Sequence, residues 1–241
     1  MKEETKEKNY FELLNSINVS DKTEKKNGLT YLSWAWAWTE VKKLFPDATY
    51  NIKKFGENQL PYVYDENTGY MVFTDMTIEG ITHEMWLPVM DGANQAMKNI
   101  KYTYKVYKYT NGKKVWNNQT NSYEMVDKEV EPATMFDINK TIMRCLTKNI
   151  AMFGLGLYIY AGEDLPENAD TDEYQKQVKQ EVKTQMPISE QQKKVLLNNA
   201  ENETVKKALE FYKKEIDDLT IVEASIIIKK IMNKKEVKEN E

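Results

Sequence analysis

The chain has 241 residues, 41% hydrophobic and 30% charged, with a net charge of −4. That is enough apolar material for a sizeable core, and no apolar run approaches the roughly 20 residues a membrane helix needs. One cysteine, Cys145, excludes an internal disulfide, and one histidine, His83, removes most zinc and Ser-His-Asp chemistry.

The charged opening MKEETKEKNYFELL has no apolar signal region, so the chain is expected in a reducing cytoplasm. Residues 1–27 read as a polar lead-in around one amphipathic turn at 10–17. In TYLSWAWAWTEVKKLF, Ser33 is placed as an N-cap, and Trp34, Trp38, Val41 and Phe45 share a helical face. That stripe makes Trp34 and Trp38 core and turns Trp36 away, with a subunit interface its expected use. Pro46 stops the helix. Strand-like segments follow at 49–55, 61–65, 69–80 and 81–90, joined by glycine-containing turns, and predict an antiparallel meander.

Next, KYTYKVYKYTNGKKVW alternates lysine with tyrosine, and Asn111-Gly112 is a strong two-residue hairpin signal. A polar stretch leads to FDINKTIMRCLTKNIAMFG, read as a helix capped by Asp137 and ended by Gly154. Ile138, Ile142, Leu146, Ile150 and Phe153 form its apolar stripe, while Lys140, Arg144 and Lys148 repeat on roughly the opposite side. LGLYIYAG is expected to return to the sheet or pack beneath it. Residues 167–186 read as an acidic linker. Capping boxes at Ser189/Gln192 and Thr220/Glu223 then predict helices over 189–199, 203–216 and 220–232. Residues 187–235 are thus a small helical domain, and 236–241 a charged tail.

Enzyme signatures are mostly missing. No phosphate-binding glycine loop or dinucleotide fingerprint occurs. His83 reads as a sheet-surface residue and Cys145 as a packed thiol. Asp75, Glu79 and Glu84 imitate an oxygen-ligand metal site, but solvated carboxylates are the better reading. The positive signal is electrostatic: between Lys98 and Tyr160 ten Lys/Arg stand against five Asp/Glu, in an acidic chain. Lysines along a groove would neutralise phosphates, and interleaved tyrosines would stack on unpaired bases. An edge hairpin guarded by lysines against aggregation explains the same pattern equally well.

YLSWAWAW, PDATY, and above all FDINKTIMRCLTKNIAMFGLGLYIYAGEDLPE resemble the phage single-strand annealing proteins of the Sak-three type. That family is grouped with Erf, Redβ/RecT and the eukaryotic Rad-fifty-two annealing protein. The resemblance covers residues 28–166. It implies annealing of complementary single strands without ATP or any cofactor, by a ring or helical oligomer acting in phage recombination and DNA repair. It also implies cationic DNA contacts on the helix before Phe-Gly: Lys148 matches one, Arg144 and Lys140 extend the face by helical spacing, and a further family cation is replaced by Ala151. The Lys/Tyr hairpin exceeds the family pattern.

The expectation is therefore an α+β fold, with an antiparallel meander crossed by a long helix, a linker and a three-helix domain. Phosphates are assigned to Lys140, Arg144, Lys148, Lys98, Lys101, Lys105 and Lys108, and bases to Tyr104 and Tyr107. No residue is assigned to catalysis or to a metal. The helical domain is expected to meet the host single-strand DNA-binding protein or a phage exonuclease, with Lys193, Lys194, Lys206 and Lys207 as receptors. A structural or regulatory phage protein, or less readily a metal-dependent nuclease, is the alternative.

Overall fold

The structure, a computed structural model, describes residues 9–26, 29–160, 180–181 and 184–239. The expected linker at 167–186 lies largely outside them, as do residues 1–8 and 27 of the lead-in, residues 28 and 161–166 of the expected 28–166 core and residues 240–241 of the tail. The chain divides into two units: one takes residues up to 48, 78–80 and those from 150 onward, and the other takes 49–77 and 81–149.

In the first unit, α1 (Tyr10–Asn15) begins at Asn9, whose side chain accepts from the Glu12 N–H while Glu12 reaches back to the Asn9 N–H. β1 (Thr23–Lys26) and β2 (Leu29–Leu32) pair antiparallel and lead into α2 (Trp34–Leu44). Ser33 occupies the N-cap position, but its side chain makes no capping bond. Ala37 and Val41 are fully buried in α2, Trp34 and Trp38 only half. The tryptophans therefore flank the stripe instead of forming its centre. Trp36 is 48% exposed, with the Lys22 ammonium 4.8 Å from its ring.

Phe153 is buried and meets the Tyr10 ring edge-on at 5.7 Å. Gly154 follows at φ +111°, and a Cβ there would lie 2.8 Å from the Phe11 carbonyl oxygen. Only glycine lets α1 approach the backbone at that point. Through Tyr160, where the described residues stop, the LGLYIYAG run forms a 3₁₀ turn at Leu157–Ile159 and no strand, and the Tyr158 hydroxyl accepts from the Val19 N–H at 2.9 Å.

Helices at Glu190–Leu197, Glu203–Tyr212 and Ile221–Glu239 close this unit. The last runs seven residues past the expected end at 232. Both expected capping boxes are present: the Gln192 N–H donates to Ser189 Oγ, and the Glu223 N–H to Thr220 Oγ1. Leu196, Val205, Leu219, Ala224 and Ile227 form the dry centre of this bundle. Asn18 Nδ2 donates to the Pro187 carbonyl at 2.5 Å, tying the bundle to the N-terminal segment.

The second unit is built on β5 (Gly69–Ile78), which pairs with β3 (Thr49–Ile52), β4 (Val63–Asp65) and β6 (Ile81–Pro88). β4 pairs with Gly69–Met71 and β3 with Thr74–Thr77, so the two lie end to end along one edge of β5. That departs from a plain meander, in which β3 would pair with β4. Val72, Thr74 and Met76 alternate inward. Against β5 and β6 lies α3 (Met135–Met152). The Asn149 amide donates to the Thr74 carbonyl at 3.1 Å and the His83 carbonyl at 3.0 Å, and Cys145 Sγ to the Met85 carbonyl at 3.3 Å.

The predicted stripe of α3 is buried throughout, with Ile138, Ile142, Leu146 and Ile150 at most 5% exposed. Its N-cap is Thr134, not Asp137. Asp137 is the third helical residue and accepts from the Thr134 N–H and hydroxyl, while its own N–H donates to Thr134 Oγ1. Thr134 precedes the apolar run by a full turn, so the box was hidden in EPATMFD.

Candidate nucleic-acid interface

Every residue assigned to DNA from the sequence falls in the second unit. On α3, Lys140 is exposed and lies 3.1 Å from Asp137, one turn earlier. Arg144 and Lys148 are half-buried, and each interacts with other groups in the fold. The three keep the four-residue spacing that puts them on one helix face.

The Lys/Tyr segment forms an arm. β7 (Tyr102–Tyr107) and β12 (Met125–Val130) pair over six residues as its stem. Lys98 sits at the root: its carbonyl accepts from the Ala133 N–H just before α3, and its ammonium lies 5.4 Å from the Tyr102 ring. Because strand residues alternate faces, Tyr104 lies with Tyr102 and Val106, while Lys105 and Tyr107 lie on the other side. Tyr104 and Tyr107 therefore do not form one platform.

The stem lysines are answered by carboxylates. Lys101 binds Glu129 at 2.8 Å and Glu131 at 2.9 Å, Lys105 lies 3.4 Å from Asp127, and Lys108 lies 2.7 Å from Glu124. Glu129, then Glu131, push the Lys101 ammonium well above its ordinary value. The sequence count of lysines missed this, because the pairing partners come from the polar stretch on the return strand.

Beyond the stem the chain branches. β8 (Tyr109–Thr110) pairs with β9 (Lys113–Lys114) through Asn111-Gly112, both at positive φ, as the hairpin signal predicts. β10 (Trp116–Asn117) pairs with β11 (Ser122–Tyr123) as a second hairpin that no sequence pattern announces. The Lys108 N–H donates to Glu124 O at 2.8 Å, Glu124 N–H to Val115 O at 2.9 Å, and Val115 N–H to Lys108 O at 3.0 Å. This ring of three backbone bonds joins stem and hairpins at one point.

Elsewhere in the unit, Asp75 and Glu84 both hold Lys53, which puts an ammonium where a cation would have to sit between them. Burial pushes the Cys145 thiol up to about 11, so it stays protonated and unreactive. Among the described residues no helix is long and apolar enough to cross a membrane.

The family described as Sak Single Strand Annealing Protein matches residues 8–195. Neither the curated proteins nor the solved structures compared with the chain match it. The match spans well over half of the sequence, and the chain belongs to the Sak single-strand annealing protein family. The family's activity is the annealing of single DNA strands in recombination.

Proposed function

We propose that this protein binds single-stranded DNA and anneals complementary strands without ATP or metal, as a ring or helical oligomer in the cytoplasm of a phage-infected bacterium. The family match over residues 8–195 is the observation that carries this reading. Annealing requires no covalent chemistry, only a strand held with its base edges exposed, so the proposal needs no catalytic residue. Lys140, Arg144 and Lys148 hold phosphates along α3, with Lys98 at the arm's root. Lys101, Lys105 and Lys108, and Lys140 beside Asp137, contribute less, since each must exchange a carboxylate for a phosphate.

Fluorescence-monitored annealing of complementary oligonucleotides, with chelator and without nucleotide, tests the proposal. Annealing above the spontaneous rate is expected, and no acceleration overturns it. Light scattering tests the oligomer, which a strict monomer under annealing conditions overturns.

The helical bundle serves as the docking module for a strand-coating protein of the host. Its groove of about 550 Å³ is lined by Phe211, Tyr212, Ile226, Lys207 and Lys230, and Phe211 is 79% exposed. Lys230 beside the exposed Phe211 ring suits an acidic peptide with an apolar anchor. Lys193, Lys206 and Lys207, assigned this role from sequence, already meet Asp217, Glu201 and Glu203. Phe211→Ser should anneal bare strands normally and lose activity on strands coated with the host binding protein; equal activity on both substrates removes this role.

A further inference from the structure

The arm's branched tip gathers three rings that the assigned site does not use together. Trp116 and Tyr123 are register partners, with ring centres 5.0 Å apart and edge-on, and Tyr107 meets Tyr123 at 5.8 Å. The Lys114 ammonium lies 4.0 Å from the Tyr107 ring and 5.7 Å from the Tyr123 ring. Trp116, Tyr123 and Tyr107 are 47%, 44% and 43% exposed. Rings that served only to hold the junction would turn inward, whereas these keep nearly half their surface in water.

Charge identifies the occupant. From Tyr107 to Glu124 the tip carries three lysines and one acid, and Glu124 is engaged by Lys108, leaving Lys113 and Lys114 as an excess of positive charge. Flat aromatic faces beside unbalanced cations fit a ligand that is itself flat and anionic, which describes an unpaired strand.

Resting on the annealing reading, we propose that Trp116, Tyr123 and Tyr107 form a base-stacking platform for single-stranded DNA, with Lys113 and Lys114 neutralising the adjoining phosphates. Stacking is indifferent to base identity, so the platform takes any sequence. The ring of backbone bonds at Lys108, Val115 and Glu124 fixes the hairpin that carries Trp116 and Tyr123 to the strand end that carries Tyr107.

The experiment compares the full-length chain with W116A/Y123A for binding to oligothymidylate and to an abasic strand of equal length, which keeps the phosphates and lacks the bases. The variant should bind oligothymidylate about fivefold more weakly or worse and the abasic strand as the parent does. The conservative W116Y/Y123F variant, which keeps an aromatic ring at each position, should retain the preference for oligothymidylate. Photocrosslinking of the parent to a strand carrying iodouracil supplies a readout independent of the variant's folding, with adducts expected on Trp116, Tyr123 or Tyr107. An unchanged preference for oligothymidylate in W116A/Y123A, an equal loss on both strands, a loss that tracks a fall in particle size, or adducts confined to other residues overturns the platform. A parent that binds neither strand overturns the annealing reading as well, so the two failures are distinguishable.

Discussion

Arg144 and Lys148 are half-buried cations. Truncating them to alanine would open space as well as delete charge. Glutamine keeps the stem, so R144Q/K148Q isolates the electrostatic part. We expect weaker binding to single strands and a salt dependence shallower by about 1.4 in log–log slope, from two contacts at about 0.7 each. Binding titrations across salt measure it, and an unchanged slope would place the phosphates elsewhere. Glu223 offers a second test at this scale. Burial disfavours its ionised form, but Lys214 at 2.8 Å and the Thr220 N–H and hydroxyl outweigh burial and hold the carboxyl below its ordinary value of 4.5. A lowered folded-state pKa stabilises above the unfolded value and loses that contribution as pH falls through the folded value. The bundle should therefore melt at progressively lower temperature on the acid side of about pH 4.5. Circular-dichroism melts should show a smaller acid loss in E223Q, which starts lower by about 1 kcal/mol for the weakened capping box.

At the level of elements, legibility in the sequence followed periodicity. α3, α2 and the strands from β3 to β6 were readable because their apolar residues recur at a helix or strand period. The two boxes at Ser189 and Thr220 were readable because a cap and its partner stand at fixed spacing. The second tip hairpin was not, because two-residue strands carry no period and Asn118–Asn121 contains no turn dipeptide that fixes a register. The stem was half readable: its lysines stood out, but its carboxylates acquire partners only once Tyr107 is set opposite Met125. That pairing makes a prediction about the arm. Exposed ion pairs of this kind contribute about 0–1 kcal/mol each, so D127N/E129Q/E131Q should leave the stem folded. It should bind single strands more tightly than the parent, with a steeper salt slope as Lys101 and Lys105 become available. Unchanged binding would mean that the stem stands away from the DNA path.

For the whole molecule, a net charge of −4 coexists with an excess of cations in 98–160. The acidic balance elsewhere keeps the chain from condensing on nucleic acid at large, so contact depends on the local patch. The family match begins at residue 8 and ends at residue 195, wider on both sides than the 28–166 resemblance read from motifs. Its early start agrees with the packing of α1 against the Phe-Gly turn, where Gly154 could not carry a side chain. Its end falls inside the first helix of the bundle, so the two helices that line the Phe211 groove lie beyond the family's shared sequence.

The backbone ring at Lys108, Val115 and Glu124 gives the arm tip an all-or-none character. Each of these residues donates to one neighbour and accepts from the other, so opening either short hairpin breaks the bonds that hold its counterpart. Neither two-residue ladder is long enough to persist alone. Their amide protons should therefore exchange with solvent at one common rate, set by a single cooperative opening. Hydrogen-exchange measurements would read that rate directly, and three unrelated rates would mean that the tip frays strand by strand.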